Sequence, residues 1–101
     1  MLAKVRNDEY ECRLTMGSYL EYKNLFGVDF GTEQFTDSSV LKLTYASTKA
    51  ACRLDGLEFG LSLEEFADGL DQESYQEFCE KEIIPQVKKN RMFVQRLKEM
   101  M

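Results

Sequence analysis

The sequence predicts an α+β domain, mainly helical, with an N-terminal β-hairpin packed on a bundle of about four to five helices. Three observations carry this expectation. Residues 9–15 alternate between polar and apolar, the period of a half-buried strand. From residue 18 onward, apolar side chains recur at helical spacing behind serine and aspartate caps. The single proline, Pro85, stands late and divides one helical stretch from the next. At 101 residues the chain has room for one domain at most. A chain of this size buries roughly 60% of its unfolded surface, enough for one modest core. A composition 44% hydrophobic and 31% charged is ordinary for a globular domain and argues against disorder.

The elements follow in order. Residues 2–6 form a weak first strand. Asn7-Asp8 supplies two residues that tolerate left-handed conformations, as a tight turn needs. In the second strand, residues 9–15, Tyr10, Cys12 and Leu14 share one face, and Glu9, Glu11, Arg13 and Thr15 the other. Two strands alone are marginal in water, so the ribbon must lie on helices or pair with further strands. Ser18 and Glu21 are spaced as a capping box for a short helix, with Thr15 as a rival cap. That helix carries Met16, Tyr19, Leu20, Tyr22 and Phe26 and ends at Gly27. Residues 28–37 read as a loop with room for a short strand, folded onto the core by Phe30 and Phe35.

A second helix over residues 38–54 is apolar or small around most of its circumference, which makes it the central helix. Gly56 stops it, and residues 57–61 form a loop. Ser62 and Glu65 make a second capping box, ahead of a helix with Leu63, Phe66, Ala67 and Leu70 on one face. Asp71 caps the next helix, which brings Tyr75, Phe78 and Cys79 to the core. Pro85 cannot donate to the preceding turn and clashes with it, so the helix must break or kink there. A separate helix is expected over residues 85–98. The expected organisation is therefore a domain over residues 1–84 and a basic amphipathic helix over residues 85–101.

Several functions are disfavoured by what the chain lacks. It has no histidine, so triads and metal sites that need histidine cannot form within it. Its three cysteines, Cys12, Cys52 and Cys79, are far apart and form no CxxC pair. They read as reduced thiols filling small spaces in a core. No apolar run approaches the ~20 residues of a membrane-spanning helix. The first six residues lack the order of a secretion signal, so a cytoplasmic protein is expected, without a membrane role. Asp55-Gly56-Leu57-Glu58-Phe59-Gly60 shares its first and sixth residues with a calcium loop. However, Leu57 and Phe59 stand where oxygen ligands are required, and Phe66 replaces the bidentate glutamate. No glycine-rich phosphate cradle occurs. Glu64, Glu65 and Asp68, like Asp71 and Glu73, sit at helix starts, where the dipole favours negative charge. No constellation supports an enzyme, and no cofactor or metal is expected.

The net charge of −5 disfavours a general nucleic-acid binder. Its distribution is uneven. Residues 81–101 carry six cations against two anions, a net +4, which leaves −9 on residues 1–80. Within the basic end, Ile83, Val87, Asn90, Val94, Leu97 and Met101 are spaced as a coiled-coil seam with one polar member. Lys88, Lys89, Arg91 and Arg96 flank it. Ile83, Val87, Asn90, Val94 and Leu97, with those four cations, are the candidate residues for binding a protein partner or a second copy. The alternative is that the stripe packs on its own domain.

The order of elements resembles the tail assembly chaperones of long-tailed phages and prophages. The resemblance rests on Arg13-Leu14-Thr15-Met16-Gly17 at the end of a strand. It continues through Tyr19-Leu20-Glu21-Tyr22 and Leu25-Phe26-Gly27-Val28-Asp29 in and after a short helix. A long helix rich in small residues follows, then Leu61-Ser62-Leu63-Glu64-Glu65-Phe66-Ala67-Asp68-Gly69-Leu70-Asp71. It covers about residues 9–80. The long loop after the first helix and the basic C-terminal helix depart from the family pattern. The resemblance implies a non-enzymatic assembly factor absent from the finished virion. Its implied partners are the tape-measure protein, which such chaperones coat, and the tail-tube subunits they bring to it. A small adaptor or regulator of the antitoxin or anti-repressor kind is the competing expectation, with the same terminal helix as its docking element.

Overall fold

The computed structural model describes residues 1–31 and 36–89, the last three by backbone alone. The fold is α+β and mainly helical, as expected. Its elements are β1 (Leu2–Val5), β2 (Asp8–Glu11), α1 (Met16–Phe26), α2 (Asp37–Leu54), α3 (Leu63–Gly69) and α4 (Gln72–Phe78). A π-helical turn (Cys79–Ile83) and α5 (Ile84–Lys89) complete it.

β1 and β2 pair antiparallel, with Ala3 opposite Tyr10 and Val5 opposite Asp8. The turn is therefore Arg6-Asn7, one residue earlier than Asn7-Asp8. Arg6 takes φ +60°, a left-handed conformation that a long side chain adopts at a cost. What holds it there is the α3–α4 junction. The Arg6 N–H donates to the Gly69 carbonyl at 2.8 Å, and the Asp71 N–H donates to the Lys4 carbonyl at 2.8 Å. Val5 and Leu70 form an antiparallel bridge between these bonds. The Lys4 N–H reaches the Ser74 hydroxyl at 3.1 Å. Residues 69–71 thus act as a short third strand along the free edge of β1. The second strand ends at Glu11 rather than Thr15, and beyond it Cys12 is fully buried.

Thr15 caps α1, with its N–H donating to Ser18 Oγ at 3.0 Å. The Ser18–Glu21 box does not form, because Glu21 has other partners. Its carboxylate accepts from Arg53 and lies 3.9 Å from Lys49, which ties α1 to α2. Gly27 ends α1 at φ +79°, donating to the Lys23 carbonyl. Phe30 then folds back against Tyr22, ring centroids 5.4 Å apart. Phe35 lies outside the described residues.

α2 is the central helix. Leu43, Ala46, Ala50 and Cys52 are fully enclosed, as are the hydroxyl-bearing Ser47 and Thr48. Thr44 and Thr48 donate to carbonyls one turn back, at 2.8 and 2.9 Å, so these two hydroxyls enter the core satisfied, whereas the buried Ser47 hydroxyl has no hydrogen-bond partner among the described residues. One apolar cluster joins Ala3, Cys12, Tyr22, Phe30, Leu43, Ala46, Phe78 and Ile83. A second gathers Val5, Tyr45 and Phe66, with Phe59 from the loop against all three of Tyr10, Tyr45 and Phe66. A fully buried side chain of this size contributes about 1.5–3 kcal/mol. The Ser62–Glu65 box forms as expected, and Asp71 caps α4 by accepting from the Ser74 N–H.

Around Pro85 the expectation is refined: α5 begins at Ile84, one residue before the proline, but it follows α4 without a gap. The α4 geometry runs on into α5 through the π-helical turn, in which the Ile84 N–H donates to the Cys79 carbonyl five residues back. A wider turn just ahead of a proline relieves the clash of its ring with the preceding carbonyls, so the helix continues without breaking.

Leu43→Asp or Ala51→Asp is expected to unfold the domain. An unpaired buried charge costs several kcal/mol, against a total stability of about 5–15 kcal/mol. Wild-type melting temperatures in both variants would show that α2 is not central. Gly69→Ala tests the junction. A Cβ there would sit 2.7 Å from Arg6 Cγ and 3.1 Å from Val5 Cγ1. Urea denaturation should show a loss of about 1–3 kcal/mol, the usual penalty of overpacking.

Candidate functional site

The structure divides the expected partner-binding residues. Ile83 is buried and belongs to the same apolar cluster as Phe78. The two are five residues apart, which on a regular α-helix turns them about 140° away from each other. The π-helical turn brings both to one side. The seam's first member is therefore part of the domain's own core, while its neighbour Ile84 is exposed. Val87, Lys88 and Lys89 lie on α5, and their side chains fall outside the described residues. Asn90, Arg91, Val94, Arg96, Leu97 and Met101 lie outside them entirely.

Sequence reasoning missed a groove where α2, α3 and α4 meet. Its walls are Leu41 on α2, Ala67 at the end of α3, Leu70 in the junction and Tyr75 on α4, with Asp37, Ser38 and Gln72 at the rim. It encloses about 420 Å³ and is mostly apolar. The Tyr75 hydroxyl donates to the Asp37 carbonyl at 3.4 Å, which joins the starts of α2 and α4. Burial first, then the nearby Cys79 and Asp37, pushes the Tyr75 phenol up to about 12. Leu70 stands on the apolar face expected of α3 and Leu41 on the apolar circumference of α2, and both are only half-buried. Helical periodicity identifies an apolar face but not whether a neighbour covers all of it.

The thiols are placed for packing. Cys12 and Cys52 are buried, Cys79 is half-buried, and all three are free. Burial is the leading cause that raises each of them, and Cys12 reaches about 12. A thiol held protonated at neutral pH is a poor nucleophile. Among the described residues no three cysteine or carboxylate side chains converge as a metal site. No described helix is long and apolar enough to cross a membrane.

The chain matches no family model, no curated protein and no solved structure. Its functional reading therefore rests on its own residues and on the resemblance in their order.

The buried thiol contributes to a loss of stability at alkaline pH. The Cys12 thiol ionises near 9 when unfolded and near 12 when folded, so the unfolded chain releases this proton first. Stability is then full below pH 9 and falls as the pH rises from 9 towards 12, at up to about 1.4 kcal/mol per pH unit from this group. Thermal melts across that range should show the decline. Cys12→Ala should make the decline shallower by up to about 1.4 kcal/mol per pH unit, Tyr75 and the other raised groups supplying the remainder, and an unchanged slope would mean Cys12 does not contribute.

Proposed function

We propose that the protein is a non-enzymatic phage tail assembly chaperone. In this reading it works in the bacterial host cytoplasm, holds the tape-measure protein soluble and helps recruit tail-tube subunits to it. The observation that carries the reading is the motif order from Arg13 to Asp71. Two parts of that order are capping segments with a clear physical role: Thr15 with Ser18 before α1, and Ser62 with Glu65 before α3. Each sets the start of a helix that flanks α2, so the motif reads as a description of how a small scaffold is held together. Such a scaffold suits a protein that acts by binding. Its exposed features are an apolar groove and charged faces, and two of its three thiols are buried.

A tape-measure protein is long and helical, so its unassembled form exposes apolar stripes that aggregate. A small acidic protein that covers such stripes would keep it soluble through net charge. The test is co-expression with the long helical tail protein encoded beside this chain. The expected result is a severalfold rise in that protein's soluble fraction and recovery of the two together. Unchanged solubility without co-purification would overturn the proposal. Co-purification instead with a neighbouring toxin or repressor would support the adaptor reading.

A further inference from the structure

The β-ribbon has one edge covered and one edge open. On the β1 side, Lys4 points its N–H and C=O away from β2, where Ser74 and Asp71 bond to them. Glu9 is the residue opposite Lys4, so its own N–H and C=O point away from β1, and by alternation so do those of Glu11. Among the described residues nothing bonds to these outward groups. The loop after α2 comes near the ribbon, and no backbone bond joins the two among the described residues. Phe59 of that loop lies edge-on to Tyr10, ring centroids 5.3 Å apart, and both residues are half-buried. Tyr10 shares the core-facing side of the ribbon with Ala3 and Val5, whereas Glu9 and Glu11 share the solvent side with Lys4. Asp8 and Glu9 are exposed and have no ion pair among the described residues.

We infer that the open edge of β2 takes up an extended, basic segment of another protein as a further strand. An unpaired strand edge is a template for such pairing, in which backbone bonds supply affinity and alternate side chains supply specificity. The pleat sets which side chains the segment needs. Its residues opposite Glu9 and Glu11 lie on the solvent side, beside those carboxylates, where cations are favoured. The residue between them, opposite Tyr10, lies on the core-facing side beside Tyr10 and Phe59, where an apolar side chain is favoured. The recognised pattern is thus cation, apolar, cation. A second copy of this chain is the poorer occupant. β2 is Asp8-Glu9-Tyr10-Glu11, and pairing it with itself sets carboxylates against carboxylates. The charges that deter self-pairing are the ones that select the partner. Glu11 already shares its charge with the Met1 amine and Arg13, so Glu9 carries most of the attraction. The chaperone reading concerns a helical partner and this edge an extended one, so neither depends on the other.

The test is an NMR titration of the isotope-labelled full chain with the peptide Lys-Val-Lys-Val-Lys, blocked at both ends. Binding should be saturable and weaker at high salt. At saturating peptide, amide exchange at Glu9 and Glu11 should slow by about tenfold, while that of Tyr10, which already bonds to β1, changes little. The same peptide N-methylated at its lysine backbone nitrogens keeps its charge but loses the donors that face the edge, and it should not bind. Glu9→Pro removes an outward N–H that the domain leaves unused, a change that edge strands tolerate. Glu9→Lys reverses the charge. Each should weaken binding by about fivefold or more, with unchanged circular dichroism. If Glu9→Pro does not fold, Glu9→Lys and the N-methylated peptide decide. A wild type that does not bind overturns the inference. So does binding that leaves Glu9 and Glu11 exchanging freely, or that survives N-methylation. Protection of Glu9 and Glu11 that rises with protein concentration alone gives the edge to a second copy and overturns it as well.

Discussion

Four residues of β1 hold the two ends of this fold together. Along one edge β1 pairs with β2, its neighbour in sequence. Along the other, Lys4 bonds to Asp71 and Ser74 and the adjoining Arg6 to Gly69, nearly the whole domain away. A two-stranded ribbon is marginal in water, and this second edge is what gives it a third partner. The same contacts fix where α3 ends and α4 begins. They bring Phe66 into one apolar cluster with Val5 and Phe78 into the other with Ala3. The absence of a side chain at Gly69 is the local condition for all of this, since Arg6 occupies the space where a Cβ would lie.

Much of the scaffold was legible in the sequence because it depends on neighbours in the chain. The Ser62–Glu65 box, the Asp71 cap and the Gly27 stop are short-range hydrogen-bonding devices, and each appears where its residues stand. α2 was legible because enclosure on nearly all sides leaves an unusual run of small and apolar residues. What was not legible depends on residues far apart. Glu21 fits a capping box locally but is taken by Arg53 and Lys49 of α2. The turn moved to Arg6-Asn7 because its N–H found the Gly69 carbonyl, a partner that turn propensities do not contain.

Pro85 illustrates a different limit. The rule that proline ends a helix describes an isolated helix. Here Phe78 and Ile83 both have places in the core, and burying them favours continuing the helix in a distorted form. Their five-residue spacing is wrong for an α-helix and right for a π-helical turn, so the spacing stands in the sequence but acquires its meaning only from the packing. The groove was out of reach for a similar reason. Leu41, Ala67, Leu70 and Tyr75 look like any other core-facing residues until the elements are assembled and a space remains between them.

The outer edge of β1 also sets an order of events during synthesis. Lys4 is made seventy residues before its partner Ser74. At ~5–20 residues per second, the nascent chain carries an incomplete ribbon for several seconds. α1 and α2 can pair during that time, since their contacts are nearer in sequence. The strand that organises the finished molecule is then the last to become fully bonded.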